Sequence, residues 1–301
     1  MYHYRKAVFP IVLYILTNNL WAQESFDLIL LETQNRPWGF SVVPGSAKNV
    51  TNRAGYDNQP HFINNLQLVF TSKSKSGSSD IIMYNFESDK FTNMSRTDEK
   101  NEFSPSLTSC GQYISAVTVE EDSSQRLWLY PINMGEPELL YDDIQPVGYY
   151  GWYEETAALF VLDNTNKLLF PYSKEDIHHI ADHPGRCIQQ RPKTKEITFL
   201  DKGNNIVVDG KPAFELKAYH VEERTVKSLG LALSESEDFC WLDKNRLLMA
   251  KGKDLYMRNV RNSIHWEKIA SVSLPGYGDI SRLALSPKKD KLVLVMERLT
   301  P

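Results

Sequence analysis

Cysteine is nearly absent from this chain: 301 residues hold Cys110, Cys187 and Cys240 and no others. An odd, widely spaced set excludes a disulfide framework and allows one bridge at most. Three buried apolar thiols is the plainer reading, and pairing of Cys187 with Cys240 stays open. No C-x-x-C occurs, so neither a dithiol redox motif nor a zinc ribbon is supported. A basic surplus is lacking too. The 34 Lys and Arg face 38 Asp and Glu, a net charge of −4, with no cluster that would track phosphates, so nucleic acid is not an expected partner. G-x-S-x-G, a Walker loop and G-x-G-x-x-G are all missing. So is any long segment of 3.6-residue apolar period, and any apolar run of the roughly 20 residues that would cross a bilayer with ease.

What the chain does have is aromatic: 15 Tyr, 13 Phe and 6 Trp, types that favour packed sheet faces. Hydrophobic content of 42% and charged content of 24% describe a globular chain. Its start, MYHYRKAVFPIVLYILTNNLWAQ, places Arg5 and Lys6 before the apolar run 7–16 and then a polar stretch. That is the order of a secretory signal. Cleavage is expected after Ala22, with no nearby cysteine for a lipid anchor, leaving one domain over 23–301. Arg5 and Lys6 are the charged residues of 1–22, so their removal takes the net charge from −4 to −6. An uncleaved membrane anchor is the alternative.

One element recurs. An anchor residue is followed by a polar turn and then by apolar residues eight or nine positions on. The anchors are Phe62, Leu107, Trp152, Gln190, Trp241 and Leu285, separated by 45, 45, 38, 51 and 44 residues. A spacing near 45 is that of a four-stranded propeller blade. After each apolar run comes a second strand-like segment: DIIMYNF (80–86), RLWLYPI (126–132), KLLFPY (167–172), FELKAYHV (214–221) and DLYMRNV (254–260). A short turn and a further short strand follow each one. The apolar runs ALFVL, ITFL and LVLVM do not alternate, as expected of strands covered on both faces. The sixth copy stops after two strands. FDLILLE (26–32) and GFSVVPGSAKNVTN (39–52) are expected to supply its third strand and its fourth with an approach loop, closing the ring.

The stretch DNQPHFINNLQLVFTS (57–72) keeps Asp57, Pro60, Phe62, Leu68, Phe70 and Ser72 of the pattern D-x-x-P-x-[aromatic]-S-P-D-G-K-x-[apolar]-x-[apolar]-x-[Ser/Thr], though it loses the turn. The second copy keeps Pro105, Gly111, Ile114 and Thr118; the sixth keeps Ser286, Pro287 and Lys291; the fourth is degenerate. In these residues the chain resembles the TolB-like (WD40-like) six-bladed β-propeller family over about residues 24–301. The resemblance implies an all-β fold of four-stranded blades. Relatives of this kind stand alone as periplasmic modules or are fused to peptidases or peptidoglycan-binding domains, and here no residues remain for a second domain.

Chemistry-bearing residues are sparse. DIHHIADHPGRC (176–187) offers His178, His179, Asp182 and His183 as metal ligands, but on a strand His178 and His179 point to opposite faces. They read as polar residues of an outer strand. His61 falls on an innermost strand, beside the channel. Two facing carboxylates would serve a glycosidase, but Glu120, Glu121, Asp122, Glu154, Glu155, Glu222 and Glu223 sit in turns. The Ser- and Lys-rich stretch 72–80 reads as a connection within the first blade. Residues 202–213 read as an extra hairpin turning at Asp209-Gly210, a favoured place for partner contact. Asn49 and Asn93 fit the glycosylation acceptor pattern. No catalytic, cofactor-binding or metal-ligating set is assigned.

The expectation is therefore a non-enzymatic, monomeric, exported propeller, periplasmic or secreted, that binds an envelope protein, peptide or glycan and spans no membrane after cleavage. The alternative is a metal-dependent lyase or hydrolase acting on a small sugar or lactone at the channel. Amino-terminal sequencing of the exported protein should begin at Gln23. A chain that retains Met1 in the membrane fraction would establish the anchor instead.

Overall fold

A computed structural model describes residues 25–36, 39–73, 77–97 and 99–299. The expected leader at 1–22 and the middle of the Ser/Lys connection lie outside them. The described residues form strands and turns, without helix. The chain begins with β1 (Ser25–Arg36), β2 (Gly39–Val42) and β3 (Lys48–Asn49). It then makes an up-and-down run of four strands, β4 (Tyr56–Phe62), β5 (Gln67–Lys73), β6 (Ser79–Asn85) and β7 (Lys90–Asn93). The same plan recurs in β8 (Asn101–Leu107), β9 (Tyr113–Val119), β10 (Gln125–Pro131) and β11 (Glu138–Leu140). Next come β12 (Val147–Tyr153), β13 (Thr156–Val161), β14 (Lys167–Pro171) and β15 (Ile177–Asp182). A longer set follows: β16 (Pro184–Gln190), β17 (Glu196–Val208), β18 (Lys211–His220) and β19 (Thr225–Leu231). After β20 (Phe239–Trp241), β21 (Arg246–Lys251), β22 (Asp254–Asn259) and β23 (Glu267–Ser271), the chain ends in β24 (Tyr277–Leu285) and β25 (Lys291–Arg298).

The sets from β8 to β23 are four separate four-stranded antiparallel sheets arranged as a propeller. A nine-stranded sheet holds the rest: β24–β25–β1–β3 and β4–β7 are joined through one parallel residue pair, Phe26 with Tyr56, and β2 folds back on β1. All the anchors close the first strand of a set. Phe62, Leu107, Gln190, Trp241 and Leu285 are the last residues of β4, β8, β16, β20 and β24, and Trp152 is the last but one of β12.

Second strands are sealed on both faces, which explains their unbroken apolar runs. Leu292 to Met296 of β25 are all at 0% exposure; burying such a side chain contributes about 1.5–3 kcal/mol. The buried apolar side chains form clusters that each bridge neighbouring sets, and the series runs around the ring. Val69, Ile81 and Ala116 tie the β4 and β8 sets. Val117, Val147 and Leu159 tie the β8 and β12 sets, and Phe160 and Phe199 the β12 and β16 sets. Leu200 and Met249 lie between the β16 and β20 sets, and Leu248 and Leu294 between the β20 and β24 sets. Val293 and Phe70 complete the circuit.

The repeated acid has a physical role. Asp57 is fully buried, and its Oδ1 accepts a hydrogen bond from Ser72 Oγ at 2.7 Å, so the first and last polar positions of the pattern tie β4 to β5. In the second copy Glu102 fills the same place, five residues before its anchor. It reaches Thr118 through the Tyr130 hydroxyl, which donates to Glu102 at 3.2 Å and lies 2.9 Å from Thr118 Oγ1. Burial raises the pKa of both carboxyls, against their hydrogen bonds.

Ring closure is antiparallel: β1 pairs with β25 from Ser25 opposite Arg298 to Glu32 opposite Lys291. The expected fourth strand is shorter than its segment. Gly39–Val42 pairs with the overlong end of β1, and only Lys48–Asn49 lies along its middle. The expected insertion at 202–213 is continuous with β17 and β18: Val208 pairs with Lys211 across Asp209 (φ 52°) and Gly210 (φ 77°). Two successive positive φ angles are what a two-residue hairpin turn of type I′ requires.

Asp27 anchors the closure. It is 0% exposed and accepts from Arg298 Nε at 2.9 Å, Asn49 Nδ2 at 3.0 Å, Thr51 Oγ1 at 3.0 Å and the Tyr277 hydroxyl. Burial raises its pKa, but the bonds from Tyr277, Arg298, Asn49 and Thr51 outweigh it, and the net shift is downward from 3.8. A lowered carboxyl contributes stability above its unfolded value, and that contribution is lost as pH falls through the folded value. Asp27→Asn should therefore cost about 2–4 kcal/mol at neutral pH. The gap to the native protein, read by urea denaturation, should shrink as pH drops below 3.8. A gap constant from pH 7 to pH 2 would refute the assignment.

Candidate functional site

The first strand of each set faces one central cavity of about 410 Å³. Its wall takes residues from β4, β8, β12, β16 and β24, with Asp238, Cys240 and Trp241 from the β20 stretch. Backbone irregularity helps aim them. The β4–β5 register shifts between Asn58 and His61, and the β8–β9 register between Phe103 and Ser106. Gln59 and Ser104, at these bulges, carry φ of 57° and 54°. Gln59 Oε1 accepts from the Ser104 amide at 2.8 Å, stitching two neighbouring first strands at the lumen. Elsewhere the walls nearly touch: a Cβ on Gly151 would stand 2.4 Å from the Ile188 carbonyl oxygen, so only glycine allows β12 to approach β16 there.

The aromatic wall is held by its polar ends. Trp152 Nε1 donates to Ser115 Oγ at 2.8 Å, Trp241 Nε1 to Thr198 Oγ1 at 2.8 Å, and the Tyr150 hydroxyl to the Ser104 carbonyl at 2.8 Å. With those atoms engaged, the rings offer faces and edges to the lumen. Charge comes from Arg186, Arg282 and Asp238. Arg186 Nη2 donates to the Ser281 carbonyl at 2.9 Å and its Nε lies 3.9 Å from Glu237, yet that Nε has no hydrogen-bond partner. Ser104 Oγ is likewise buried and unpartnered. Arg282 lies over the Tyr149 ring, 5.8 Å from its centroid.

His61 lines the cavity from β4, as the repeat places it. Enclosure by protein disfavours its charged form and lowers its pKa to about 4. Cys187 and Cys240 also face the cavity as free thiols. Burial first, and the Asp238 carboxylate second, push both well above the ordinary thiol value, so neither is a ready nucleophile. Cys110 is exposed and free.

The histidine-rich stretch lies on outermost β15 and the step to β16, away from the cavity lining. His178 stacks on Tyr219 at 5.4 Å, while His179 Nε2 meets Asp182 Oδ1 at 3.1 Å in solvent. His183 is exposed and turns the backbone at φ 50°. Among the described residues no three His, Cys, Asp or Glu side chains are grouped to hold a metal ion. The turn carboxylates are capped or solvated: Glu120 takes Arg126 Nε and Nη2 at 2.6 Å each, and Glu222 pairs with Lys195 at 2.5 Å. None of them lines the cavity. Asn93 is exposed, but the Asn49 amide is committed to Asp27 and to the Tyr277 hydroxyl.

Sequence reading did not single out Arg186, Arg282, Asp238 or Tyr149. The signal was available for the arginines. Each lies three or four residues before an anchor, inside a first strand, where a charge is out of place unless the strand faces water or a ligand.

No family model matches the chain, and no curated protein matches it in sequence. Solved structures do. The chain is similar to a putative TolB from Agrobacterium tumefaciens, with a TM-score of 0.66 at 10% identity over 92% of this chain and 100% of that one. The likeness is one of fold. An oligogalacturonate lyase in complex with manganese matches with a TM-score of 0.55 at 12% identity, over 87% of this chain and 82% of that one. A nidogen/laminin complex matches with a TM-score of 0.58 at 10% identity, over 90% of this chain and 98% of that one. The fold neighbours thus include proteins of different activities, and function must be argued from the site.

A His61 imidazole held neutral by enclosure should titrate by NMR with a midpoint near 4 rather than at the ordinary 6.5. Because the unfolded chain takes up that proton first, His61 should lower stability as pH falls from 6.5 toward 4, and His61→Gln should flatten that slope. A midpoint near 6.5 would show a lumen open enough to hydrate the ring.

Proposed function

We propose that this chain is a stand-alone TolB-like propeller of six blades, exported and monomeric. In this reading it is not an enzyme, and its channel binds a protein, peptide or glycan of the cell envelope. The six-blade count treats β24–β25–β1–β3 and β4–β7 as separate blades joined by the Phe26–Tyr56 pair, and the repeat of anchors supports it. Export rests on the charged and apolar pattern of residues 1–22.

The observation that carries the binding reading is the chemistry of the channel wall. Fixed indole and phenol rings, two guanidinium groups and a neutral imidazole suit recognition. Few groups of the wall are placed for acid–base or nucleophilic work: the thiols are held protonated and the turn carboxylates lie elsewhere, which leaves Asp238 and the neutral His61 imidazole. The oligogalacturonate lyase among the fold neighbours keeps a second reading in play, metal-dependent cleavage of a small sugar at the channel. The donor set does not fit that metal, since among the described residues no such cluster is formed.

Photo-crosslinking in the native host tests the choice. Benzoylphenylalanine replaces Tyr149 in the channel, Val207 on the β17–β18 hairpin, or exposed Phe91 on β7. A discrete envelope adduct is expected from position 149 and not from 91. An adduct from 207 alone would move the binding site to the hairpin. One equivalent of bound metal lost on replacing His183, or turnover of an oligogalacturonate, would overturn the non-enzymatic reading.

A further inference from the structure

We propose that Arg282 selects the channel's ligand by taking a carboxylate from an acidic peptide segment. The proposal rests on the reading that the channel is the binding site. Arg282 sits on β24 at the cavity wall, three residues before the Leu285 anchor. Among the described residues its guanidinium makes no hydrogen bond and no ion pair; it lies over the Tyr149 ring, 5.8 Å from the centroid, and close enough to the Cys187 thiol for its charge to be felt there. Other arginines of this chain are engaged. Arg126 holds Glu120, Arg191 holds Glu196, and buried Arg258 donates to the carbonyls of Leu231 and Leu229. A guanidinium carries five donors in a planar fork that matches a carboxylate, so leaving one unengaged at a cavity wall leaves a site for an anion.

The charges facing Arg282 do not cancel it. Arg186 adds a second guanidinium to the wall, and its own charge is met by Glu237 at 3.9 Å. Asp238 is the carboxylate of the lining, 8% exposed and beyond ion-pair distance of Arg282. His61 is neutral above about pH 4, and the Cys187 and Cys240 thiols are protonated. An adjoining pocket holds Glu235, Glu237 and Asp279. There Glu235 is met by Lys211 at 2.7 Å, Glu237 is met by Lys202, and Asp279 is exposed.

A peptide fits the remaining features better than a sugar. The strands β8, β12, β16, β20 and β24 each stand at the end of their sheet, so their inward N–H and C=O groups have no strand beside them. An extended chain can pair with such groups while its side chain reaches Arg282. The rings of Trp152 and Trp241, their nitrogens already bonded, would cover its apolar parts.

Of the chain's six tryptophans, Trp152 and Trp241 line the cavity, and the ligand-dependent change in total emission reports occupancy. The full chain is titrated with a blocked pentapeptide of alternating glycine and glutamate, with its glutamine counterpart, and with trigalacturonate. The glutamate peptide should saturate and bind at least about tenfold tighter than the glutamine peptide. Arg282→Gln should lose about that tenfold for the glutamate peptide and leave the glutamine peptide unchanged. Arg282→Lys, which keeps the charge, should retain most of the preference, and the comparison of peptides on the native chain stays readable if the Gln variant folds poorly. No saturable response to the glutamate peptide, or equal affinity for both peptides, overturns the proposal. So does an undiminished preference in Arg282→Gln, and trigalacturonate binding in place of the peptide overturns the peptide assignment. If position 149 still crosslinks to a partner in any of those cases, the channel reading survives and only the role of Arg282 fails.

Discussion

Everything in this molecule depends on β1 lying against β25. Sheets packed face to face make a closed ring only if the last is completed, and here β1 completes it by joining the two ends of the described chain across eight residue pairs. The join is fixed by a buried charge. Asp27 is out of water altogether and would be costly there alone. Arg298, Tyr277, Asn49 and Thr51 satisfy it from β25, β24, β3 and the turn after β3. Three pieces of chain, β24, β25 and the segment from β3 to Thr51, must be in register with β1 before this carboxylate is solvated by protein. A slip of β1 by one residue would point Asp27 at the opposite face and leave Arg298 unpaired, so the polar cluster sets the register while the apolar strip Leu28–Leu31 supplies the adhesion.

Closure has a consequence at the other end of each sheet. Outer strands such as β7, with all four residues exposed, meet solvent and are short and polar. Inner strands meet one another across a lumen only about 410 Å³ in size. Their free backbone groups are therefore protected from other sheets by geometry rather than by charge or proline. That allows Trp152, Trp241 and Tyr149 to face the lumen without offering an aggregation edge.

The architecture was legible in the sequence because blade second strands are buried on both faces. That burial writes unbroken apolar runs at a fixed distance from each anchor, and Leu292–Met296 is the plainest case. The acid of the repeat was legible where it still ties two strands, at Asp57 and Glu102. It is gone from the third, fourth, fifth and sixth copies, where Val147, Gly185, Ser236 and Ile280 stand five residues before the anchor. The site was legible only through His61. Sequence proximity drew attention to His178, His179 and His183, whereas proximity in a propeller lumen is between residues about a blade apart, such as Gln59 and Ser104. Arg186 and Arg282, nearly a hundred positions apart, share one wall for the same reason.

The polar imperfections of the fold have more than one origin. Asp57 Oδ2 and Glu102 Oε2 are buried without partners, and both carboxyls have raised pKa values, so each gives up some stability at neutral pH. These belong to the repeat and tie strands. Ser104 Oγ and Arg186 Nε are also buried and unpartnered, but they belong to the channel wall, where the Arg282 guanidinium forms no ion pair among the described residues. A strand-tying carboxyl is compensated within its own set, by Ser72 for Asp57 and by Tyr130 and Thr97 for Glu102. In the lumen, Ser104 Oγ has no such partner inside the chain, and Arg186 is met only in part, by the Ser281 carbonyl at 2.9 Å and by Glu237 at 3.9 Å. Buried donors without partners lie outside the channel, at Ser79 Oγ and Arg258 Nε, as well as in its wall, at Ser104 Oγ and Arg186 Nε; local rules are broken at functional places when the missing partner arrives from outside, and of these four it is the wall pair that a ligand in the lumen would reach.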